Sequence, residues 1–231
     1  MTLALVTALT LDLDDTLWPV RPALVAAEAV LADWLRAHAP ATAAGLGAGG
    51  MLALRAQVAA ERPDWAHDLT AIRLETIRRA LRLHGEDPAL AEAAFEVFFE
   101  ARHQVTLYED VRPALARLAT RYRLVAVSNG NADVERVGLG DYFSGSVSAR
   151  VHGIAKPAAS IFHAACATVA AAPHCVLHLG DDPALDIDGA LAAGLQAGWV
   201  CRPDAPHADA APRERAHRFN DLLETAAALG C

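Results

Sequence analysis

The feature that most constrains this chain is an apolar run, residues 3–11, that stops abruptly at Asp12-Leu13-Asp14-Asp15-Thr16-Leu17. The run is far shorter than the roughly 20 residues a membrane helix needs. It has no basic stretch before it and ends in acid rather than in small cleavage-site residues, so it does not read as a leader. Residues 5–11 therefore predict a strand covered on both faces, in the middle of a sheet. A turn at its carboxyl end points Asp12 and Asp14 toward one crevice, and two carboxylates held that close need a chemical reason.

The segment after this strand has a different texture. From Pro19 to about Thr106 nothing alternates as a strand would, and apolar residues recur at helical spacing: Leu74, Ile77 and Leu81 on one stripe, Leu90, Ala94, Val97 and Ala101 on another. The Ala/Gly stretch 40–50 breaks this block and Pro63 and Pro88 punctuate it, which predicts a bundle of about four helices. Beyond Tyr108 the chain alternates. A helix bearing Val111, Leu115 and Leu118 feeds an apolar run at 124–127. Short strands are expected at 146–149, 175–179 and 196–201, with helices at 158–169, 184–193 and 220–229. The fold class is α/β: a doubly wound, mostly parallel sheet made of residues 1–18 plus 107–231, with an inserted α-helical domain at 19–106.

In such a sheet ligands bind at the carboxyl ends of the strands, and the polar clusters fall there. Ser128-Asn129-Gly130-Asn131 ends the second run and offers a hydroxyl and backbone N–H groups to an anion. Lys156-Pro157 comes after a glycine-containing loop, and Gly180-Asp181-Asp182 with Asp186 ends a third run. Asp12, Asp14, Asp181 and Asp186 converging on one crevice would repel one another. A bound dication resolves the conflict, and an all-oxygen site that must also admit phosphate suits Mg²⁺ better than zinc or copper.

These four motifs, in this order over essentially the whole chain, resemble the haloacid dehalogenase superfamily. The resemblance implies that Asp12 is a nucleophile, Asp14 the general acid/base, Ser128, Asn129 and Lys156 the phosphate-binding residues, and Asp12, Asp181, Asp186 and the main-chain carbonyl of Asp14 the Mg²⁺ site. Asp186 would act as a direct or an outer ligand. Asp182 is expected to cap the next helix, and Thr16 either to hold Asp14 by a hydrogen bond or to be a buried structural residue. The helical block resembles a cap domain with hinges near Trp18 and Thr106. Ser128-Asn129-Gly130-Asn131-Ala132, Gly138-Leu139-Gly140-Asp141-Tyr142-Phe143, Arg21-Pro22 and His67-Asp68-Leu69-Thr70 with Arg73 look like the bacterial flavin-pathway phosphatases. Those act on 5-amino-6-(5-phospho-D-ribitylamino)uracil and flavin mononucleotide. Arg21, His67, Asp68 and Arg73 are then either substrate contacts or a salt-bridged helix start.

Composition narrows the classes. A net charge of −8 argues against a broad nucleic-acid surface, and no run is long enough for a membrane span. The four cysteines are scattered and the ten histidines lack zinc-ligand spacing. A cytoplasmic enzyme acting on a small phosphorylated metabolite is the expectation, with no protein partner named and the oligomeric state open. A phosphosugar mutase, a 2-haloacid dehalogenase and an inert binding module on the same fold are the alternatives.

Overall fold

The computed structural model describes residues 5–47, 49–202, 211 and 213–231, so residues 3 and 4 of the opening run lie outside the described residues. The chain divides into two compact units, Arg21–Gln104 and Met1–Val20 with Val105–Cys231.

The first unit is helical: α1 (Val20–His38), α2 (Pro40–Leu46), α3 (Gly50–Glu61), α4 (Leu69–Leu83) and α5 (Ala91–Arg102). Helix α1 buries Ala23, Ala27, Leu31 and Leu35 at four-residue intervals, one stripe of an amphipathic helix. Ala27, Leu31 and Leu35 pack with Ile77 and Leu81 of α4 and Phe95 and Phe98 of α5. The structure corrects two expectations here. The first part of the Ala/Gly stretch, Pro40–Leu46, is a helix, α2, because Pro40 starts it at a position needing no N–H and the alanines favour it, and the expected break comes only at Gly47. Glu86 holds that helix by accepting from Ala41 N and from Thr42 Oγ1, each at 2.8 Å. In α5 the buried stripe is Ala91, Ala94, Phe95, Phe98 and Arg102. It is rotated from the expected one because the two phenylalanines bury more apolar area than Val97 or Ala101 would.

The second unit is a parallel six-stranded sheet of order β3-β2-β1-β4-β5-β6. Its strands are β1 (Ala8–Leu11), β2 (Arg123–Ser128), β3 (Gly145–Ser148), β4 (Val176–Gly180), β5 (Gln196–Val200) and β6 (His217–Phe219). Alternation sorts the central strands onto two faces. Leu9, Leu11, Leu124, Ala126, Leu177 and Leu179 face one core with α6 (Val111–Leu118) and α10 (Leu222–Ala228). Ala8, Val125, Val127 and Val176 face the other, against Ile161, Phe162 and Ala165 of α8 (Ala159–Thr168). Strand β1 is shorter than expected: Leu5 is exposed and the ladder begins at Ala8. After β3 the chain makes a single helical turn, α7 (Ala149–His152), where the sequence suggested strand through Ala149. The expected helix at 184–193 is a π-helical turn, Pro183–Asp188, running into α9 (Gly189–Ala192). Among the described residues, no helix is long and apolar enough to cross a membrane.

Candidate active site

Because β1, β2 and β4 are adjacent and parallel, their carboxyl ends share one edge of the sheet unit. A cavity of about 180 Å³ opens there, lined by Asp12, Asp14, Ser128, Asn129, Lys156, Asp181 and Asp186 among others. The Asp12 N–H donates to Leu179 O at 2.9 Å, carrying the β1–β4 ladder one residue past the strand and fixing Asp12 beside Asp181. The π-helical turn aims Asp186 back at the same point. Asp182 accepts from Ala184 N and Leu185 N at 2.8 and 2.9 Å, the helix cap expected of it. A Cβ on Gly180 would collide with the Asp186 carboxylate, so that approach requires glycine.

One ligand oxygen from each of Asp12, Asp181 and Asp186 lies within 4.8 Å of the other two. Lys156 Nζ donates to Asp12 Oδ1 and, at 2.6 Å, to Asp186 Oδ1. One ammonium does not balance three carboxylates. Burial pushes the Asp12 carboxyl well above the usual range despite Lys156, and Asp186 and Asp181 add to the push. Burial and then Asp186 raise Asp181 to about 7. Burial also works against the charge of Asp186, but Lys156 and a hydrogen bond from His178 hold its pKa below the ordinary value. The Lys156 ammonium, which burial alone would neutralise, is kept charged by Asp12 and Asp186. This excess negative charge, borne entirely by carboxylate oxygens, fits a hard divalent cation.

Asp14 sits across the cavity mouth and accepts from Trp18 Nε1 at 2.9 Å. Its other oxygen lies 2.5 Å from where a Cβ on Gly130 would be, so the Ser128-Asn129-Gly130 turn needs glycine to admit it. Thr16 does not hold Asp14. Its hydroxyl donates to Asp181 Oδ1 at 2.8 Å, with Asp12 Oδ2 at 3.5 Å, and the indole of Trp18 takes the part the sequence offered to threonine. Ser128 Oγ accepts from Gly130 N at 2.9 Å. The Asn129 side chain is bound to the Lys156 peptide in both directions, donating to Lys156 O at 2.9 Å and accepting from Lys156 N at 2.7 Å.

Besides Trp18, three supporting residues escaped sequence reasoning. Arg202 is buried, donates from Nε and Nη2 to Thr16 O at 3.0 and 2.9 Å, and pairs with Asp110. Trp199 Nε1 donates to Asp181 O at 2.9 Å. His178, central in β4, touches Asp186, and burial lowers its pKa although Asp186 acts the other way. No local motif marks them, since each works through a partner distant in sequence or hidden in an apolar run.

Arg21, His67, Asp68 and Arg73 belong to the helical unit. Arg21 is exposed and His67 half-buried. Asp68 caps α4 by accepting from Ala71 N at 2.9 Å. Arg73 is buried, pairs with Glu28 of α1 and lies 3.9 Å over the Phe98 ring. For Asp68 and Arg73 the structure thus supplies helix-start and packing roles.

Known proteins bear on this geometry. Residues 6–194 match the family model for haloacid dehalogenase-like hydrolases. The chain is 34% identical over 203 residues, 86% of its own length and 84% of the relative's, to the 5-amino-6-(5-phospho-D-ribitylamino)uracil phosphatase YigB of Escherichia coli. It is 33% identical over 145 residues, 59% of this chain and 58% of the relative, to a phosphoserine phosphatase of Thermus thermophilus. Among solved structures, one described as a 2-haloacid dehalogenase from Pseudomonas syringae superposes with a TM-score of 0.89 at 35% identity, covering 97% of this chain and 98% of that one. The motif order, the sheet and the family match agree: this chain belongs to the haloacid dehalogenase-like hydrolases.

Proposed function

We propose that the protein is a magnesium-dependent phosphomonoesterase that works through a phosphorylated Asp12. The observation that carries this reading is the buried cluster of Asp12, Asp181 and Asp186, bridged by Lys156, with Asp14 on the same cavity. Asp12, Asp181, Asp186 and the main-chain carbonyl of Asp14 would hold the cation. Bound there, Mg²⁺ would neutralise charge on the phosphoryl oxygens.

The Asp12 carboxylate attacks phosphorus in line with the leaving oxygen, and a P–O bond to Asp12 forms as the ester P–O bond breaks. Lys156 stabilises the equatorial oxygens and the Ser128 hydroxyl donates to one of them. Asn129 serves by fixing the Lys156 loop. Asp14, in its acid form, gives its proton to the departing alkoxide. It then accepts a proton from water as that water attacks the phosphorylated Asp12, releasing phosphate and restoring both carboxyls.

The dehalogenase-like neighbour invites a second reading, displacement of halide from carbon. A halide leaves as an anion and needs no proton, so Asp14 would be idle, and displacement at carbon has no use for the divalent cation that the three carboxylates fit. Phosphoryl transfer uses every one of these groups. The likeness to YigB supports a flavin-pathway phosphomonoester as substrate, with the helical unit selecting the leaving group as a cap. Phosphate release should be measured over phosphorylated metabolites that include 5-amino-6-(5-phospho-D-ribitylamino)uracil and flavin mononucleotide, with and without Mg²⁺. Release that needs Mg²⁺ is expected. Release from none of them, with halide freed from a 2-haloacid, would replace this reading with the second.

A further inference from the structure

The middle of β4 holds a polar group where apolar ones would pack without cost. Val176, Leu177 and Leu179 surround His178, which has no exposed surface. The parallel register sets Thr10 of β1 directly opposite it, and Thr10 Oγ1 lies 2.8 Å from His178 Nδ1. The other ring nitrogen, Nε2, is 3.2 Å from Asp186 Oδ1. Phe162 stands edge-on to the ring with centroids 5.0 Å apart and closes its side. A carboxylate can only accept, so Nε2 carries the proton, and Nδ1 takes the hydrogen bond that the threonine hydroxyl donates. The result is a directed chain, Thr10 to His178 to Asp186, running from inside the sheet to the cavity.

A Thr–His pair that merely satisfied itself would leave Nε2 unpaired in the core, a cost proteins avoid. Here Nε2 instead ends on the carboxylate that Lys156 Nζ and Asp182 N also hold, from other directions. Hydrogen-bond partners standing behind ligating carboxylates set the angle at which the oxygens face a metal.

We propose that His178, backed by Thr10, is a positioning residue of the metal site: its ring fixes the Asp186 carboxylate in the orientation that holds a divalent cation. The proposal rests on the metal reading of Asp12, Asp181 and Asp186. The test is calorimetric titration of Mg²⁺ into the full-length protein without substrate, with thermal midpoints recorded alongside. Wild type should bind and Asp181→Asn should not. His178→Leu should bind about 10–100-fold more weakly. Thr10→Val, nearly isosteric, should fold normally and weaken binding about threefold through the ring it no longer fixes. His178→Gln, which keeps an N–H donor, should recover part of the loss. Thr10→Val and His178→Leu that bind Mg²⁺ as wild type does, with only their thermal midpoints lowered, would reduce the chain to packing and overturn the proposal. If His178→Leu does not fold, Thr10→Val decides in the same way. Wild type that takes up no Mg²⁺ would sink the metal reading and the proposal with it, an outcome the Asp181→Asn comparison separates from the first.

Discussion

Arg73 in the helical unit and Lys156 in the sheet unit are both cations with 4% of their surface exposed, yet their surroundings differ in kind. Arg73 has one carboxylate partner, Glu28, and an aromatic face beneath its guanidinium. Its charge is matched, and the pair fastens α4 to α1. Lys156 has two carboxylates in direct contact and a third, Asp181, beside them. That charge is not matched, and burial, with Asp186 adding to it, lifts the pKa of Asp181 to about 7. An ion pair that balances, with one partner as exposed as Glu28, is a structural device of modest net value. Buried charge that does not balance marks a site built for something that arrives with the opposite sign.

Substitutions can break or sharpen this contrast. Asp12→Asn should fold as wild type does and lower the rate of phosphate release by about four orders of magnitude, since it removes the proposed nucleophile. Circular dichroism and a phosphate assay check both halves. Asp14→Asn should lose about a hundredfold to ten-thousandfold in kcat on an alkyl phosphate. The loss should be clearly smaller with p-nitrophenyl phosphate, whose leaving group departs without a proton. Equal losses on both esters would remove Asp14 from the acid role. Gly130→Ala places a methyl group on Asp14 Oδ2, and displacing that carboxylate should cost about thirtyfold to a hundredfold in kcat with little change in KM. Trp18→Phe keeps an aromatic ring, though a smaller one, and deletes the N–H bond to Asp14, and should cost about tenfold in kcat, again mostly on poor leaving groups. In the helical unit, Arg73→Met should cost about 1–2 kcal/mol of stability by denaturant titration and leave kcat on p-nitrophenyl phosphate within twofold. An unchanged stability with a raised KM for the native substrate would make Arg73 a substrate contact instead.

Much of the sheet unit is legible in the sequence because its logic is local. An apolar run that ends in Asp, Ser-Asn-Gly or Gly-Asp-Asp carries the strand and its functional end in the same few residues. The positions of Asp12, Ser128 and Asp181 come from that. Strand β6 escapes such a reading because His217–Phe219 is three residues long and, among the described residues, pairs only with β5, which leaves too little pattern. Helix α2 looks like a break because glycine in an alanine-rich stretch weakens the helical signal, while the Glu86 contacts that hold it lie more than forty residues away. The supports of the site are hidden for a related reason. Trp18 reads as one more apolar residue, His178 as a lone histidine in a strand, and Arg202 as a surface cation. Each gains its meaning from an acceptor that only the tertiary fold brings near. Arg73 is ambiguous in the sequence, substrate contact or salt-bridged residue, and the structure shows its pairing with Glu28 of α1.

The measurement that tests the account most directly is rapid acid quenching of the enzyme during turnover of a phosphomonoester with Mg²⁺, then mass spectrometry of the peptide that carries Asp12. A phosphoryl group on Asp12, absent from Asp12→Asn and lost again as substrate is exhausted, is the result expected. Steady phosphate release with Asp12 unmodified at every quench time, or with the phosphoryl group on another residue, would contradict it.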